Sequence, residues 1–533
     1  MLRNPAIYQW RPVGLSDARD GQMGFPGACK VLQNLIHDAA SSYMLAPRPG
    51  ATTIASALSG LGVISVTLTL GTRIYGMAAS TSISGYDAPF CYDTSTSSLV
   101  TITGATSSNT PVTQATSGAW TPPVMVLVGN YIVITHPGYT LTTGPVGLVD
   151  LSTLAYSSGN LKQGTTNIFT AVPNSVGSFY NRAWYAVGNV TYFSDALTPL
   201  VQTDTGQQLT LGTATENITA FVPQGISTAT QGILASLVAF KPNSVWQITG
   251  DWNFGGSTTG GNLALNQLTA SIGCTAPRTI QPTPAGIMFL AVDGIRTIPP
   301  LSMVVSEPQP DVVFPFYNCM DTSRACAAFS ANMYRISLDT VTTTDIAGRF
   351  EFWYSLRTGK WTGPHTFPAD TITPFGNSFV VTQNASVGTL FQSNAISSGS
   401  DTFTEGGAAV AYSINSTVVD MSPPMLEKAS VEVTVNAVYG SSPFMMQVLN
   451  ADGSMAGTAT GPVNVGRSTW GSFVWGAGTW GTSQYNSVSE PLNFPAPLVF
   501  KTPQFIITGN SVPGVRFGRF DFRYEALQYT GAN

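Results

Sequence analysis

The chain has 533 residues, 43% hydrophobic and only 9% charged, with a formal net charge of −5 and a pI near 5.2. Charge so far below the roughly 25% of ordinary soluble chains disfavours long surface helices, whose outer faces are usually rich in Glu and Lys. No basic cluster able to neutralise several phosphates is present, which excludes tight electrostatic binding of nucleic acid, though not a mildly acidic wall past which DNA slides.

Ser, Thr, Gly, Asn and Gln solvate the surface in place of charge. Lysine is confined to Lys30, Lys162, Lys241, Lys360, Lys428 and Lys501, a scarcity expected of a surface covered by partners or neighbouring subunits, and one that genomic base composition would also produce. The length allows about two to four domains.

Along the chain, Met1-Leu2-Arg3-Asn4-Pro5 lacks the apolar core of a signal peptide. Leu32, Leu35, Ile36 and Ala39 share one helical face and predict a single helix over Ala28 to Met44, ended by Pro47-Arg48-Pro49-Gly50. Ala51 to Thr72 is free of charge, but Gly60 and Gly62 interrupt it, and Ile64, Val66, Leu68 and Leu70 alternate with Ser65, Thr67 and Thr69. That is a strand period, so a soluble chain without membrane insertion is expected.

Strand–turn–strand units then recur. Val66 to Leu70 turns at Gly71-Thr72 into Arg73 to Tyr75, and Val124 to Val128 turns at Gly129-Asn130 into Tyr131 to Ile134. Arg182 to Val187 turns at Gly188-Asn189 into Val190 to Phe193, and Leu237 to Phe240 turns through Lys241-Pro242-Asn243-Ser244 into Val245 to Ile248. Ile287 to Val292 turns at Asp293-Gly294 into Ile295-Arg296, and Phe350 to Leu356 turns at Thr358-Gly359 toward Trp361. Gly, Asn and Pro at these centres are what hairpin turns require. The markers Gly71, Gly129, Gly188, Pro242, Asp293 and Thr358 are spaced by 58, 59, 54, 51 and 65 residues. A quasi-period near the about 40–50 residues of a propeller blade, plus loop insertions, signals radial repetition.

The fold class expected is all-β: a β-propeller of six blades, or seven counting Phe379 to Phe391, over residues 51–400. A β-sandwich or a pair of barrels is the alternative. No common blade motif is found; Ser355-Leu356-Arg357-Thr358-Gly359-Lys360-Trp361 resembles the Asp-box turn of sialidases, with Arg357 where the aspartate belongs. The Ser/Thr-rich residues 93–123 predict a long surface loop. Composition turns Gly/Ser-rich around 396–408, placing an N-terminal arm at 1–50 and a C-terminal antiparallel β-domain at 401–533. Its strands are Ser430 to Val438, Phe444 to Leu449 with a hairpin at Asp452-Gly453, and Val515 to Tyr529, where Phe520, Phe522 and Tyr524 alternate with Arg519, Asp521, Arg523 and Glu525.

Chemistry-bearing motifs are scarce. His37, His136 and His365 are far apart, and none has a metal-ligand spacing. Cys29, Cys91, Cys274, Cys319 and Cys326 are scattered and odd in number, which reads as free thiols of a reducing compartment rather than a disulfide framework. Gly476-Ala477-Gly478-Thr479-Trp480-Gly481 matches a dinucleotide fingerprint in spacing alone, because no helix pattern follows it. Asp339, Asp345 and Asp370 have no second carboxylate at a suggestive spacing, although a glycosidase pair could assemble from distant blades. The expectation is a non-enzymatic chain with no catalytic, cofactor-binding or metal-binding residue and no cofactor.

Several short segments occur in an order similar to that of the tail nozzle proteins of short-tailed bacteriophages (tail tubular protein B, or packaged-DNA stabilisation proteins). They are Leu32-Gln33-Asn34-Leu35-Ile36 before Arg48-Pro49-Gly50-Ala51, Phe193-Ser194-Asp195, and Phe240-Lys241-Pro242-Asn243-Ser244-Val245-Trp246. Gly273-Cys274-Thr275-Ala276-Pro277-Arg278 and the span from Trp470-Gly471 to Trp480-Gly481 continue the series. The resemblance implies a virion protein assembled in the host bacterial cytoplasm. It would form a homohexameric ring below the portal and its tail adaptor protein, carry tail fibre or spike proteins, extend the DNA channel, and retain and then release double-stranded DNA. Another virion role (fibre or decoration) and an extracellular glycan-binding or glycan-cleaving propeller are the alternatives.

Overall fold

The computed structural model describes residues 5–17, 25–38, 44–114, 121–228, 232–250, 263–300, 302, 304–342, 344–394, 404–405, 408–421, 426–438, 442–461, 488–511 and 515–527. Apart from the short helix Phe314–Tyr317 and the 3-10 turn Pro277–Thr279, the regular structure among these residues is β.

Seven antiparallel sheets follow one another around an axis. The first blade is Leu61–Leu70, Arg73–Ser80, Asp87–Asp93 and Ser98–Val100; the second is Val124–Val128, Tyr131–Thr135, Val146–Asp150 and Ala155–Gly159. The third comprises Ser175–Phe179, Arg182–Val187, Val190–Phe193 and Gln208–Thr210, and the fourth Ala220–Thr228, Gly232–Phe240, Val245–Thr249 and Ala264–Thr269. The fifth is three-stranded: Gln281–Thr283, Gly286–Ala291 and Gly294–Ile298. The sixth is Cys326–Ser330, Met333–Val341, Ala347–Ser355 and Lys360–His365. Thr371–Phe375, Ser378–Thr382 and Leu390–Asn394 form the seventh, to which the N-terminal strand Ala51–Ala55 adds a fourth strand. The chain is thus a β-propeller of six four-stranded blades and one three-stranded blade.

Blades stack face to face, and separate apolar clusters fill the gaps between most of them. Trp184, Phe193, Phe221 and Leu237 lie between the third and fourth blades, and Val238, Phe240, Ile287 and Phe289 between the fourth and fifth. Burial on both faces explains why strands such as Asp87–Asp93 are buried along their whole length, rather than alternating with solvent. At the inner closure, Thr67 Oγ1 meets Thr373 Oγ1 at 2.7 Å.

The hairpins expected from turn chemistry are present, but at drifting positions within the blade. Gly129 joins the first and second strands of its blade, Gly188 the second and third, and Thr358 the third and fourth. Asp93-Thr94-Ser95-Thr96 and Asp150-Leu151-Ser152-Thr153 recur at the third turn of the first two blades, each followed by a left-handed residue, Ser97 (φ 52°) and Leu154 (φ 52°). Asp93 Oδ1 accepts from Ser95 N and Oγ at 2.9 and 2.6 Å, and Asp150 Oδ1 from Ser152 N and Oγ at 2.8 and 2.6 Å. These bonds hold both carboxyls below the usual carboxylate range. This Asp-x-Ser-Thr turn is shared by the first two blades and does not figure among the hairpin markers above.

The predicted helix over Ala28 to Met44 is replaced by strands Ala28–Gln33 and Leu35–His37, joined at left-handed Asn34 (φ 57°); residues 39–43 lie outside the described residues. Ala28–Gln33 pairs with Ala411–Ser416, and Leu35–His37 with Leu45–Pro47. Tertiary pairing overrides the helical spacing.

The second β-domain draws on both ends of the chain. The sheet of the sixth blade continues from Lys360–His365 through Ala28–Gln33, Ala411–Ser416, Pro503–Asn510 and Phe444–Asn450 to Met455–Thr460. A facing sheet holds Arg516–Ala526, which pairs with Ala6–Trp10 and Lys428–Val438. Phe520, Phe522 and Tyr524 are buried in that strand, as their alternation predicts.

The loop between the fourth and fifth blades crosses the Lys241 turn so closely that a Cβ on Gly273 would lie 2.0 Å from the Lys241 carbonyl oxygen. Cys274 N donates to that oxygen at 3.0 Å. Gly273→Ala is therefore expected to cost about 1–3 kcal/mol, measured as a lower urea midpoint with an unchanged slope.

Candidate functional site

On the propeller axis lies a cavity of about 270 Å³. The innermost strands line it with Thr67, Ser175, Thr219, Gln281, Thr371 and Thr373 among apolar neighbours including Val126, Val176, Phe221 and Ile372. Arg278 brings the one charged side chain of this lining. Its Nη2 donates to the Asp370 carbonyl at 2.8 Å, and burial lowers its pKa.

Beside Arg278, the fold gathers residues that the sequence keeps apart. Arg324 Nη2 and Arg349 Nε reach Asp370 Oδ1 at 2.8 and 3.1 Å, and Arg349 Nη1 reaches Asp339 Oδ2 at 2.7 Å. Asn384 N donates to Asp370 Oδ2 at 2.7 Å. Asp339 and Asp370, expected to stand alone, thus share one guanidinium. Asp345 lies apart on the exposed tip of the hairpin, at φ 60°. The Cys326 thiol donates toward the Asp370 carbonyl at 3.5 Å, and burial raises its pKa against the pull of Arg278. Chemically this is a clamp between the fifth, sixth and seventh blades, with both Asp370 oxygens and Asp339 Oδ2 engaged.

The histidines are all tied into the frame. His136 Nε2 meets Asp87 Oδ2 at 2.9 Å, and its Nδ1 accepts from Gly138 N, both buried. His37 Nε2 donates to the Val13 carbonyl at 2.7 Å, and burial lowers its pKa. His365, fully buried, accepts the Asn34 N–H on Nδ1 at 3.0 Å and meets Thr362 Oγ1 through Nε2 at 3.2 Å. Burial, with Arg48 and Arg335 nearby, holds its pKa well below the usual histidine value. A depressed histidine resists protonation when folded but not when unfolded. Stability is therefore complete above about pH 6.5 and falls below it, by up to about 1.4 kcal/mol per pH unit. Urea titrations at pH 7.5, 6.5 and 5.5 are expected to show this fall, and His365→Asn, which keeps an acceptor for Asn34 N–H, to reduce it to the share that His37 contributes.

No group of three or more metal-ligating side chains occurs among the described residues. The five cysteines are free; burial pushes Cys274 up to about 12 and Cys319 to about 11. The Gly476 to Gly481 segment and the Trp470 to Gly481 motif lie outside the described residues. No described helix is long and apolar enough to cross a membrane.

No family model and no curated protein matches the sequence. Among solved structures, the chain is similar to an exo-β-1,3-galactanase from Phanerochaete chrysosporium, at 13% identity over 89% of this chain and 99% of that one, with a TM-score of 0.25. It is similar to a glycoside hydrolase family 43 arabinoxylan arabinofuranohydrolase from Bacillus subtilis, at 12% identity over 89% and 98% of the two chains, with a TM-score of 0.22. A puromycin-hydrolyzing peptidase from Mycobacterium tuberculosis aligns at 9% identity over 69% and 60%, with a TM-score of 0.38. Likeness this distant bears on fold alone, and the propeller rests on the sheets described above. The expectation of a non-enzymatic chain is withdrawn, because missing sequence motifs do not exclude catalysis on a propeller.

Proposed function

We propose that the chain is a subunit of the tail nozzle of a short-tailed bacteriophage, assembling as a ring below the portal and adaptor. The observation that carries this reading is the architecture: a propeller sewn to a second β-domain that both chain ends build, bearing the ordered segments that resemble the nozzle family. Phe240 to Trp246 and Gly273 to Arg278 meet in that frame, where the buried Lys241 ammonium donates to the carbonyls of Leu211 and Thr213 at 2.5 and 3.2 Å. The axial cavity of about 270 Å³ has room for only about nine waters at bulk density. DNA in a nozzle would therefore pass between subunits and not along a propeller axis.

A second reading, a glycan-binding or glycan-cleaving propeller, is favoured by the hydroxyl, amide and guanidinium groups of Thr67, Thr219, Gln281 and Arg278 facing that cavity, since sugars are held by such donors and acceptors. The glycan-cleaving enzymes among the similar solved structures belong with this reading. The nozzle reading concerns assembly and makes no statement about catalysis.

Negative-stain microscopy with mass photometry, on the chain alone and with the phage adaptor, tests the first reading. Six-fold rings with a hole wide enough for duplex DNA support it; monomers in both preparations overturn it. Turnover of a glycan panel, lost in Gln281→Ala or Arg278→Met variants of the cavity lining that remain folded, would establish the second.

A further inference from the structure

Four parts of the chain meet around one buried guanidinium. Arg48 donates through Nε to Asn34 Oδ1 at 2.8 Å, through Nη1 to the Pro49 carbonyl at 3.1 Å, and through Nη2 to the Thr366 carbonyl at 2.8 Å. Its Nη2 also forms an ion pair with Glu405 Oε1 at 2.5 Å. Asn34 extends the cluster, donating from Nδ2 to the Ala411 carbonyl at 2.6 Å and accepting from Thr366 N on Oδ1 at 3.1 Å.

Each partner marks a structural boundary. Arg48 precedes Ala51–Ala55, the strand that completes the seventh blade, and Glu405 runs parallel beside Ala51 where the chain has left the propeller. Ala411 opens the strand that enters the second β-domain, and Thr366 follows the last strand of the sixth blade. Gly50 fits this crossing because a Cβ there would lie 2.2 Å from the Thr404 carbonyl oxygen.

We infer that the cluster of Asn34, Arg48, His365, Thr366 and Glu405 is a latch that couples closure of the propeller ring to seating of the C-terminal β-domain, and that acid opens it. The mechanism is local. His365 Nδ1 accepts the Asn34 N–H, so a proton on that nitrogen would set donor against donor. The charged groups around the imidazole are Arg48 and Arg335, with Glu351 opposite His365 across the strand pair and Glu405 paired to Arg48. Two guanidinium groups and two carboxylates balance around a neutral ring, and protonation adds a third cation. Glu405 opposes this trend, because burial raises its pKa and it takes up a proton more readily when folded; His365→Asn isolates the imidazole from it.

Hydrogen exchange of the full chain at pH 7.5 and 5.5, corrected for intrinsic rates, tests the latch. At pH 5.5, Ala51–Ala55 and Ala411–Ser416 are expected to lose protection together, on the order of tenfold per pH unit below 6.5. Tyr131–Thr135 and Val245–Thr249, in distant blades, should keep theirs. His365→Asn should abolish the acid response, and Arg48→Met should reproduce it at pH 7.5. Unchanged protection at the two strands, loss spread evenly over all blades, or an acid response that survives in His365→Asn would each overturn the inference. Should Arg48→Met not fold, the comparison of the native chain with His365→Asn decides.

Discussion

Arg335→Ala is expected to destabilise the chain by about 3–5 kcal/mol, because it strands a buried carboxylate. Arg335 and Glu351 are 1% and 2% exposed and pair through two contacts, Nε to Oε1 at 2.5 Å and Nη2 to Oε2 at 3.0 Å. Arg335 Nη1 also donates to Ser393 Oγ at 3.0 Å, tying the sixth blade to the seventh. The guanidinium lies 4.1 Å from the Trp353 ring centroid and 4.6 Å from that of Phe379. The cost of the single change comes mainly from Glu351, left with its charge and no partner. The double variant Arg335→Met/Glu351→Leu should therefore recover most of the loss, since replacing both members of a buried pair by apolar groups is often close to neutral. Urea midpoints of the two singles and the double measure the coupling directly. A double variant no more stable than Arg335→Ala would show that stacking on Trp353 and Phe379, and not charge, is what the arginine contributes.

Trp10→Ala is expected to cost a similar amount, about 3–5 kcal/mol, by a different route. Trp10 is 2% exposed and sits between Phe505 and Phe520, at ring-centroid distances of 5.0 and 5.4 Å. Phe505 belongs to one sheet of the second β-domain and Phe520 to the facing one, so the indole fills the space between the two layers. Phe505 also stacks on Phe522 at 4.4 Å, and truncating Trp10 leaves that stack beside a void. Calorimetry should show a lower melting temperature, and exchange should rise in both Ala6–Trp10 and Arg516–Ala526. A loss below about 1 kcal/mol would mean that the N-terminal strand contributes little to this core.

The strand–turn–strand units could be read because turn chemistry is local. Gly129-Asn130 and Gly188-Asn189 announce their hairpins whatever the rest of the chain does, and Val124 to Val128 has the bounds that its apolar run and turn residues set. The Asp-x-Ser-Thr turns at Asp93 and Asp150 carry an equally local signal, since each carboxylate accepts from the Ser two positions on. The false helix at Ala28 to Met44 shows the opposite case: its apolar spacing fits a helix, and Ala411–Ser416, the strand partner of its first half, lies hundreds of residues away. The same distance hid the meeting of Asp339 with Asp370, and of Arg48 with Glu405.

By itself, the sequence determined an all-β chain, a propeller of repeated hairpins and a second antiparallel domain, because these follow from side-chain period and turn residues within a few positions. Tertiary structure alone decided that both chain ends build the second domain, that an N-terminal strand closes the seventh blade, and which charges share a buried site. Those choices depend on pairing between strands far apart in sequence, where each strand's own pattern is satisfied by many partners and only packing selects one.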